Sequence, residues 1–243
     1  MPFLNSIRTI EAIADVQKHP FNIPAFSEGI NIEFTKNVTF FVGENGSGKS
    51  TLLEAIAENC GFNTSGGNRN HNYSFHKTES DLGSILKFSW FPRVTDGFFM
   101  RAESFFNFAT YIDELAADEP NLYGAYGGKS LHGQSHGEAF LALFKNRFKK
   151  GIYILDEPEA ALSPKRQLSF LALIHDLEKS GNAQFIIATH SPILLSYPEA
   201  VLYSFDQKRI TKVNYEETEH YQITKDFLMN PDRFYKHLFS NDE

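Results

Sequence analysis

Apolar positions along the chain fall into short runs separated by turn-forming stretches, and the spacing within each run predicts an element. Ile30-Asn31-Ile32-Glu33-Phe34 alternates with a period of two and reads as a strand with one buried face. Val38-Thr39-Phe40-Phe41-Val42 is a continuous β-branched and aromatic run, the pattern of a strand buried on both faces. It breaks at Gly43, and a helix is expected from Ser50 to about Asn59. The Gly-, Asn-, Ser- and Thr-rich stretch from Gly61 to Asn72 reads as a loop. Short strands are expected at Ser84 to Trp90 and Phe98 to Met100, followed by a helix from Phe105 to Leu115.

A second Gly-rich stretch, Tyr123 to Gly133, precedes a helix from His136 to about Phe148. The apolar strand Ile152-Tyr153-Ile154-Leu155 comes next. The helix after it is punctuated at both ends, with Ser163 as N-cap, Pro164 in the first turn and Gly181 beyond the last. Inside it Phe170, Leu173, Ile174 and Leu177 form one apolar stripe at helical spacing. A buried strand, Phe185 to Ala188, follows, and Val201–Phe205 with Arg209–Val213 suggest a hairpin around Asp206-Gln207-Lys208. The tail from Thr218 reads as two short helices split at Pro231. Strands alternating with helices predict an α/β fold with a largely parallel sheet.

Composition narrows the class. A chain of 243 residues buries roughly 70% of its unfolded surface, enough for a core without disulfides or metal. With 24 Phe, that core should be rich in aromatic rings. A single cysteine, Cys60, forms no internal disulfide and no CxxC zinc pair. Arg8 and Glu11 interrupt the amino terminus where a secretory leader would be apolar, and the run Ala139–Phe144 is too short to cross a bilayer. A cytoplasmic protein is expected. The net charge of −7 argues against strong nonspecific binding to nucleic acid or anionic membranes.

The candidate chemistry is concentrated in two motifs. Gly43-Glu44-Asn45-Gly46-Ser47-Gly48-Lys49-Ser50 fits the P-loop pattern GxxxxGK[ST] between an apolar strand and a helix, with Thr51 following. Glycines let the backbone curl so that its N–H groups face phosphates, and the helix N-terminus adds favourable potential for the anion. Lys49 supplies a cation for the β- and γ-phosphates, and Ser50 offers a hydroxyl to Mg²⁺. Asp156 and Glu157 end the strand beginning at Ile152, at the edge where parallel sheets bind ligands. Asp156 is read as a second Mg²⁺ ligand, and Glu157 as the group that polarises the attacking water.

Taken together these residues resemble the ABC-type ATPases, over about residues 26 to 205. Gly-Glu-Asn-Gly-Ser-Gly-Lys-Ser-Thr at 43–51 and Leu155-Asp156-Glu157-Pro158 are wording typical of that superfamily. Ser135-His136-Gly137-Glu138 resembles its signature motif and has the form of a capping box at a helix start. His190 in Ala188-Thr189-His190-Ser191 resembles its switch histidine, placed at the γ-phosphate. The resemblance implies a P-loop fold of ABC-ATPase type in a single domain, 1–243. A small inserted helical lobe is expected at about 60–149 and a helical tail at about 216–243. It also implies ATP and Mg²⁺ as cofactors and an ATP-dependent homodimer, in which Ser135 to Glu138 complete the partner's site. The closest likeness is to compact soluble AAA- or ABC-like ATPases related to chromosome-maintenance and repair heads. The stretch between Thr51 and Ser135 lacks heptads and is too short for the coiled-coil arm of those heads.

Two departures from the family pattern stand out. Transporter ATPases carry a Gln after the P-loop, and none occurs here between Thr51 and Gly133. Glu103 is the candidate stand-in as a metal contact, or else a solvated acid or a partner of Arg101. The family's Asp beyond the catalytic acid is also missing, since Glu159-Ala160-Ala161-Leu162 runs into Ser163. Phe21 or Phe26 is placed either on the adenine ring or in the core. Lys145, Arg147, Lys149 and Lys150 form a basic cluster, read as a solvated helix end or a nucleic-acid contact. His71 and His76 lack a ligand set. The expected function is an ATP-driven switch acting with a soluble partner, in nucleic-acid maintenance or defence. The alternatives are the ATP-binding subunit of a transporter, with a membrane permease as partner, and a nucleotide-binding regulator with negligible turnover.

Overall fold

A computed structural model describes residues 1–10, 17–63, 81–101, 105–118, 123–124, 128, 130, 132–133 and 136–239. Its centre is a sheet in the order β5-β6-β7-β3-β8-β9. The strands are β3 (Val38–Val42), β5 (Gly97–Arg101), β6 (Gly151–Asp156), β7 (Ala183–Ala188), β8 (Ala200–Ser204) and β9 (Thr211–Val213). The pairs β5–β6, β6–β7, β7–β3 and β3–β8 are parallel, and β9 closes one edge as the antiparallel arm of the expected hairpin. Every residue of β3, β6 and β7 is buried, as the continuous apolar runs require.

The two faces of this sheet feed two cores. Phe40, Tyr153, Leu155, Phe185 and Ile187 point to one side, where they meet α3 (Phe105–Asp118), α4 (His136–Arg147) and α5 (Pro164–Lys179). There Phe144 lies 3.9 Å from Phe148 and 4.8 Å from Phe170, ring centre to ring centre, and Phe148 stacks on Tyr153 at 4.0 Å. The aromatic-rich core expected from composition is this cluster. On the other side Phe41, Phe99, Ile154 and Ile186 pack with α1 (Lys49–Cys60) and α2 (Asp81–Ser84). A three-stranded antiparallel sheet, β2-β1-β4, covers them, built from β1 (Leu4–Thr9), β2 (Asn31–Glu33) and β4 (Leu86–Trp90).

Strand β1 is absent from the sequence reading. Its buried residues, Leu4 and Ile7, are three apart, because the register against β4 shifts between Leu4 and Ser6. Such a bulge breaks the period-two pattern that marks a strand. The stretch 60–149, expected as an inserted helical lobe, is only partly helical: β4 pairs with β1, and β5 forms the edge of the parallel sheet. Gly97 permits this edge contact, since a Cβ there would lie 1.9 Å from the Ile152 carbonyl oxygen. His71 and His76 lie outside the described residues.

The carboxyl-terminal segments follow the expected punctuation. Ser163 occupies the N-cap of α5 in extended conformation, although its hydroxyl makes no capping bond. After the four-residue helix α6 (Pro192–Leu195) and the β8–β9 hairpin, the tail forms α7 (Glu219–Met229) and α8 (Pro231–Leu238), split at Pro231. No helix among the described residues is long and apolar enough to cross a membrane.

Gln184, fully buried within β7, fastens the antiparallel sheet to the parallel one. Its Oε1 accepts the backbone N–H groups of Phe3 (2.9 Å) and Leu4 (2.8 Å), and its Nε2 donates to the Leu4 carbonyl at 3.0 Å. Replacing Gln184 by Leu would leave these backbone groups buried without partners. At about 1 kcal/mol or more for each, the loss should be about 3 kcal/mol, read as a fall in Tm of about 6–12 °C. A Tm unchanged in Gln184→Leu would show that the Gln184 bonds do not fasten β1 to the parallel sheet.

Candidate functional site

The loop after β3, the start of α1 and the residue after β6 line one open cleft of about 410 Å³, with Asn45, Gly46, Gly48, Lys49, Ser50, Thr51 and Glu157 in its wall. Here β3 runs into Gly43 and the chain turns through Glu44, Asn45, Gly46 and Ser47 before α1 begins at Lys49. Gly48 is the helix N-cap with φ 103°, and a Cβ there would lie 2.8 Å from the Phe26 ring and 2.9 Å from Ile23. Both backbone conformation and packing therefore demand glycine. The Lys49 side chain folds back along its own loop, donating to the carbonyls of Gly43 at 2.6 Å and Glu44 at 2.9 Å. Burial pushes its ammonium pKa down, against the upward pull of Glu157, Asp156, Asp206 and Glu44.

Asp156, the last residue of β6, accepts from the Ser50 hydroxyl at 3.1 Å and from Arg101 Nε at 3.3 Å. Burial pushes its carboxyl pKa up, and the bonds from Ser50 and Arg101 pull it back. Ser50 Oγ and the Asp156 carboxylate are hard oxygen donors meeting beside the phosphate loop, a set that fits Mg²⁺. Arg101 ends β5 directly opposite Asp156 in the register and also pairs with Glu54 of α1. Glu103, two residues further on, lies outside the described residues.

Glu157 sits at φ 50°, ψ 51°, the one non-glycine residue with positive φ among the described residues. A left-handed conformation is costly for a side chain, the more so before a proline such as Pro158. Its carboxylate lies 3.6 Å from Nε2 of His190. His190 follows β7 by two residues, and its backbone N–H donates to Glu159 at 2.6 Å. Its Nδ1 is 2.8 Å from Nε2 of His220 on α7. Burial first, then Lys49 and His220, push the His190 pKa below its ordinary value, which favours the neutral ring.

The signature-like segment is described only in part. Ser135 and the side chain of His136 lie outside the described residues. Gly137, in the first turn of α4, is buried, and a Cβ there would meet Arg166 at 2.6 Å and the Ala161 carbonyl at 3.0 Å. Arg166 reaches over it to pair with Glu138 at 3.0 Å. Phe26 is a core residue beneath the phosphate loop, whereas Phe21 is half-buried and away from the cleft lining. His19, Asn22, Ile23 and Pro24 line the cleft instead.

Four site residues escaped the sequence reading: Arg101 as a partner of Asp156, Glu159, Asp206 and His220. Asp206 accepts the Glu44 N–H at 2.8 Å and the Ser204 hydroxyl at 2.9 Å, and so holds the start of the phosphate loop. An Asp-Gln-Lys turn signals a hairpin and says nothing of the loop it touches. Relief of backbone strain is the simplest test of this geometry. Glu157→Gly should raise stability by about 1 kcal/mol, a Tm gain of about 2–4 °C. An unchanged or lower Tm would remove strain from the account of Glu157.

Two family models match successive parts of the chain: one described as "AAA domain" over residues 21–119, the other as "AAA domain, putative AbiEii toxin, Type IV TA system" over residues 138–196. Comparison with curated proteins finds no match. Among solved structures, the chain superposes on "a putative metal-chelate type ABC transporter" in an inward-facing conformation with TM-score 0.53 and 17% identity, covering 92% of this chain and 88% of that one. A nucleotide-free ATP-binding cassette from an ABC transporter gives TM-score 0.52 and 17% identity over 96% of this chain and 97% of that one. A cassette in its ADP conformation gives 0.51 and 16% over 99% and 100%. At such identities these likenesses concern the fold. The first AAA-domain match carries the phosphate loop and the second carries Asp156, Glu157 and His190, so the two matches together take in the residues gathered at this end of the sheet.

Proposed function

We propose that this protein is a Mg²⁺-dependent ATPase that works as an ATP-bridged homodimer and drives a soluble partner protein. The observation that carries the reading is one cleft lined by Lys49, Ser50 and Glu157, with Asp156 bonded to Ser50 and His190 3.6 Å from Glu157 just behind them. Lys49, now bonded to two loop carbonyls, would turn its ammonium to the β- and γ-phosphates. Ser50 and Asp156 would hold Mg²⁺, which supplies neutralising charge across those phosphates. Glu157 orients and polarises the attacking water, and His190 offers a hydrogen bond to the γ-phosphate. In-line transfer of a phosphoryl group needs little else from the protein than positioning and charge stabilisation. The base and ribose fit the open side of the cleft, against His19, Asn22, Ile23 and Pro24.

Ser135 to Glu138 would complete the site of a second copy, the helix start directing N–H groups and dipole at the γ-phosphate there. Glu103 is retained as a candidate metal contact. The toxin–antitoxin description of the family matched by residues 138–196 favours a role in defence. A transporter's ATP-binding subunit is the second reading, favoured by the titles of the superposed cassettes and opposed by the missing Gln after the P-loop. Nucleic acid as a partner has no support from the net charge of −7.

Lys49→Ala should reduce ATP turnover by about 100-fold or more, because a preorganised cation at the transferring phosphate is lost. Turnover near the wild-type rate would sink the phosphate-loop assignment. In Mg-ATP, Glu157→Gln should trap nucleotide and scatter light as a particle of twice the 27.6 kDa chain, since ligand shared between two chains stabilises their dimer. Adding Ser135→Arg should return it to the monomer mass. A nucleotide-bound Glu157→Gln monomer at high concentration would exclude the shared site while leaving the cleft assignment intact.

A further inference from the structure

His190 does not stand alone: its ring is tied to the tail. His220, in the first turn of α7, brings Nε2 within 2.8 Å of His190 Nδ1. The contact is braced on both sides. Tyr215, just before α7, donates its hydroxyl to the Pro192 carbonyl at 3.0 Å, two residues beyond His190. Thr218 caps α7 by accepting the Tyr221 N–H at 3.3 Å, and the Tyr215 and Tyr221 rings pack at 4.6 Å. The His190 backbone is held from the other side by Glu159 at 2.6 Å. Neither ring is free to drift from the other.

A hydrogen bond between two imidazole nitrogens needs one N–H and one bare nitrogen, so its direction sets which nitrogen of His190 carries the proton. If His190 donated from Nδ1, its bare Nε2 lone pair would face the Glu157 carboxylate at 3.6 Å and any phosphate in the cleft, which is repulsive. Either direction leaves one buried N–H and one bare nitrogen on His190 Nε2 and His220 Nδ1, which have no hydrogen-bond partner among the described residues, so the Glu157 carboxylate decides between them. The opposite direction turns an Nε2–H toward that carboxylate and relieves the repulsion. His220 then donates from Nε2, His190 accepts at Nδ1, and the His190 proton sits on Nε2, beside the carboxylate of Glu157, which lines the cleft.

We propose that His220 is a positioning residue for His190, donating a hydrogen bond from the tail that fixes His190 in the Nε2–H tautomer needed to meet an anion in the cleft. The inference rests on the ATPase reading above for its consequence in turnover, but the tautomer itself is a property of the nucleotide-free protein. The tail thereby becomes part of the site.

Long-range ¹H–¹⁵N spectra of the nucleotide-free chain should place the His190 proton on Nε2 in the wild type and in His220→Gln, whose amide keeps a donor near the same place. His220→Phe, which keeps a ring but no donor, should move population to Nδ1–H. In steady-state ATPase assays His220→Phe should lose about tenfold in kcat with KM within about twofold, while His220→Gln recovers most of the turnover. A His190 proton on Nδ1 in the wild type overturns the inference, as does a His220→Phe enzyme as fast as the wild type or a His220→Gln enzyme as slow as His220→Phe. A wild type without ATP turnover overturns the hydrolytic reading instead, and the spectra alone then decide the role of His220.

Discussion

Parallel strands buried on both faces have almost no room for polar side chains along their length, and this constraint arranges everything else in the molecule. Within β3, β6 and β7 the polar residues short of the carboxyl ends are Thr39 and Gln184. The chemistry gathers where the strands run out: Lys49 beyond β3, Asp156 at the end of β6, His190 beyond β7 and Asp206 beyond β8. Register does the rest. Phe41 and Asp156 both lie opposite Ala188, and Arg101 lies opposite Asp156, so ladders that align apolar pairs also align the polar ends.

Each polar group at that edge is held before any ligand arrives. Lys49 bonds its own loop, Asp206 bonds the loop from outside, and Asp156 is shared by Ser50 and Arg101. Charges in a partly buried setting interact more strongly than in water, and their desolvation is tolerated only because partners are in place. Glu157 is the contrasting case. It occupies a backbone region that a glycine would occupy at lower cost, a pattern in which local strain accompanies a functional position.

The tail has two different faces. Its inner side, through Tyr215, Thr218 and His220, is fastened to the loop after β7. Its outer side leaves Ile223, Leu228, Met229, Leu238 and Phe239 exposed. Meanwhile Arg166 of α5 bridges Gly137 and Glu138, so the signature-like helix start is packed onto the turn that immediately follows Glu157. The turn after Glu157 therefore touches both the signature-like helix start and, through Glu159, the backbone of His190.

The sequence by itself determined the parallel α/β sheet, most helix limits and the residues at the phosphate loop and acidic strand end. Those features are local. A run such as Val38 to Val42 is apolar because both faces of its strand are covered, and a P-loop needs its glycines and lysine contiguous in the chain. Only the tertiary structure decided the rest. Strand β1 escaped notice because a bulge spaces Leu4 and Ile7 three apart, and β4 and β5, expected as strands, found their partners in two different sheets, which their local pattern does not specify. Gln184, Arg101, Glu159, Asp206 and His220 gained their roles from partners distant in sequence: 180 residues separate Gln184 from Leu4, and 30 separate His220 from His190. A hydrogen bond across such distances leaves no periodicity and no motif, because it depends on where folding brings two side chains together.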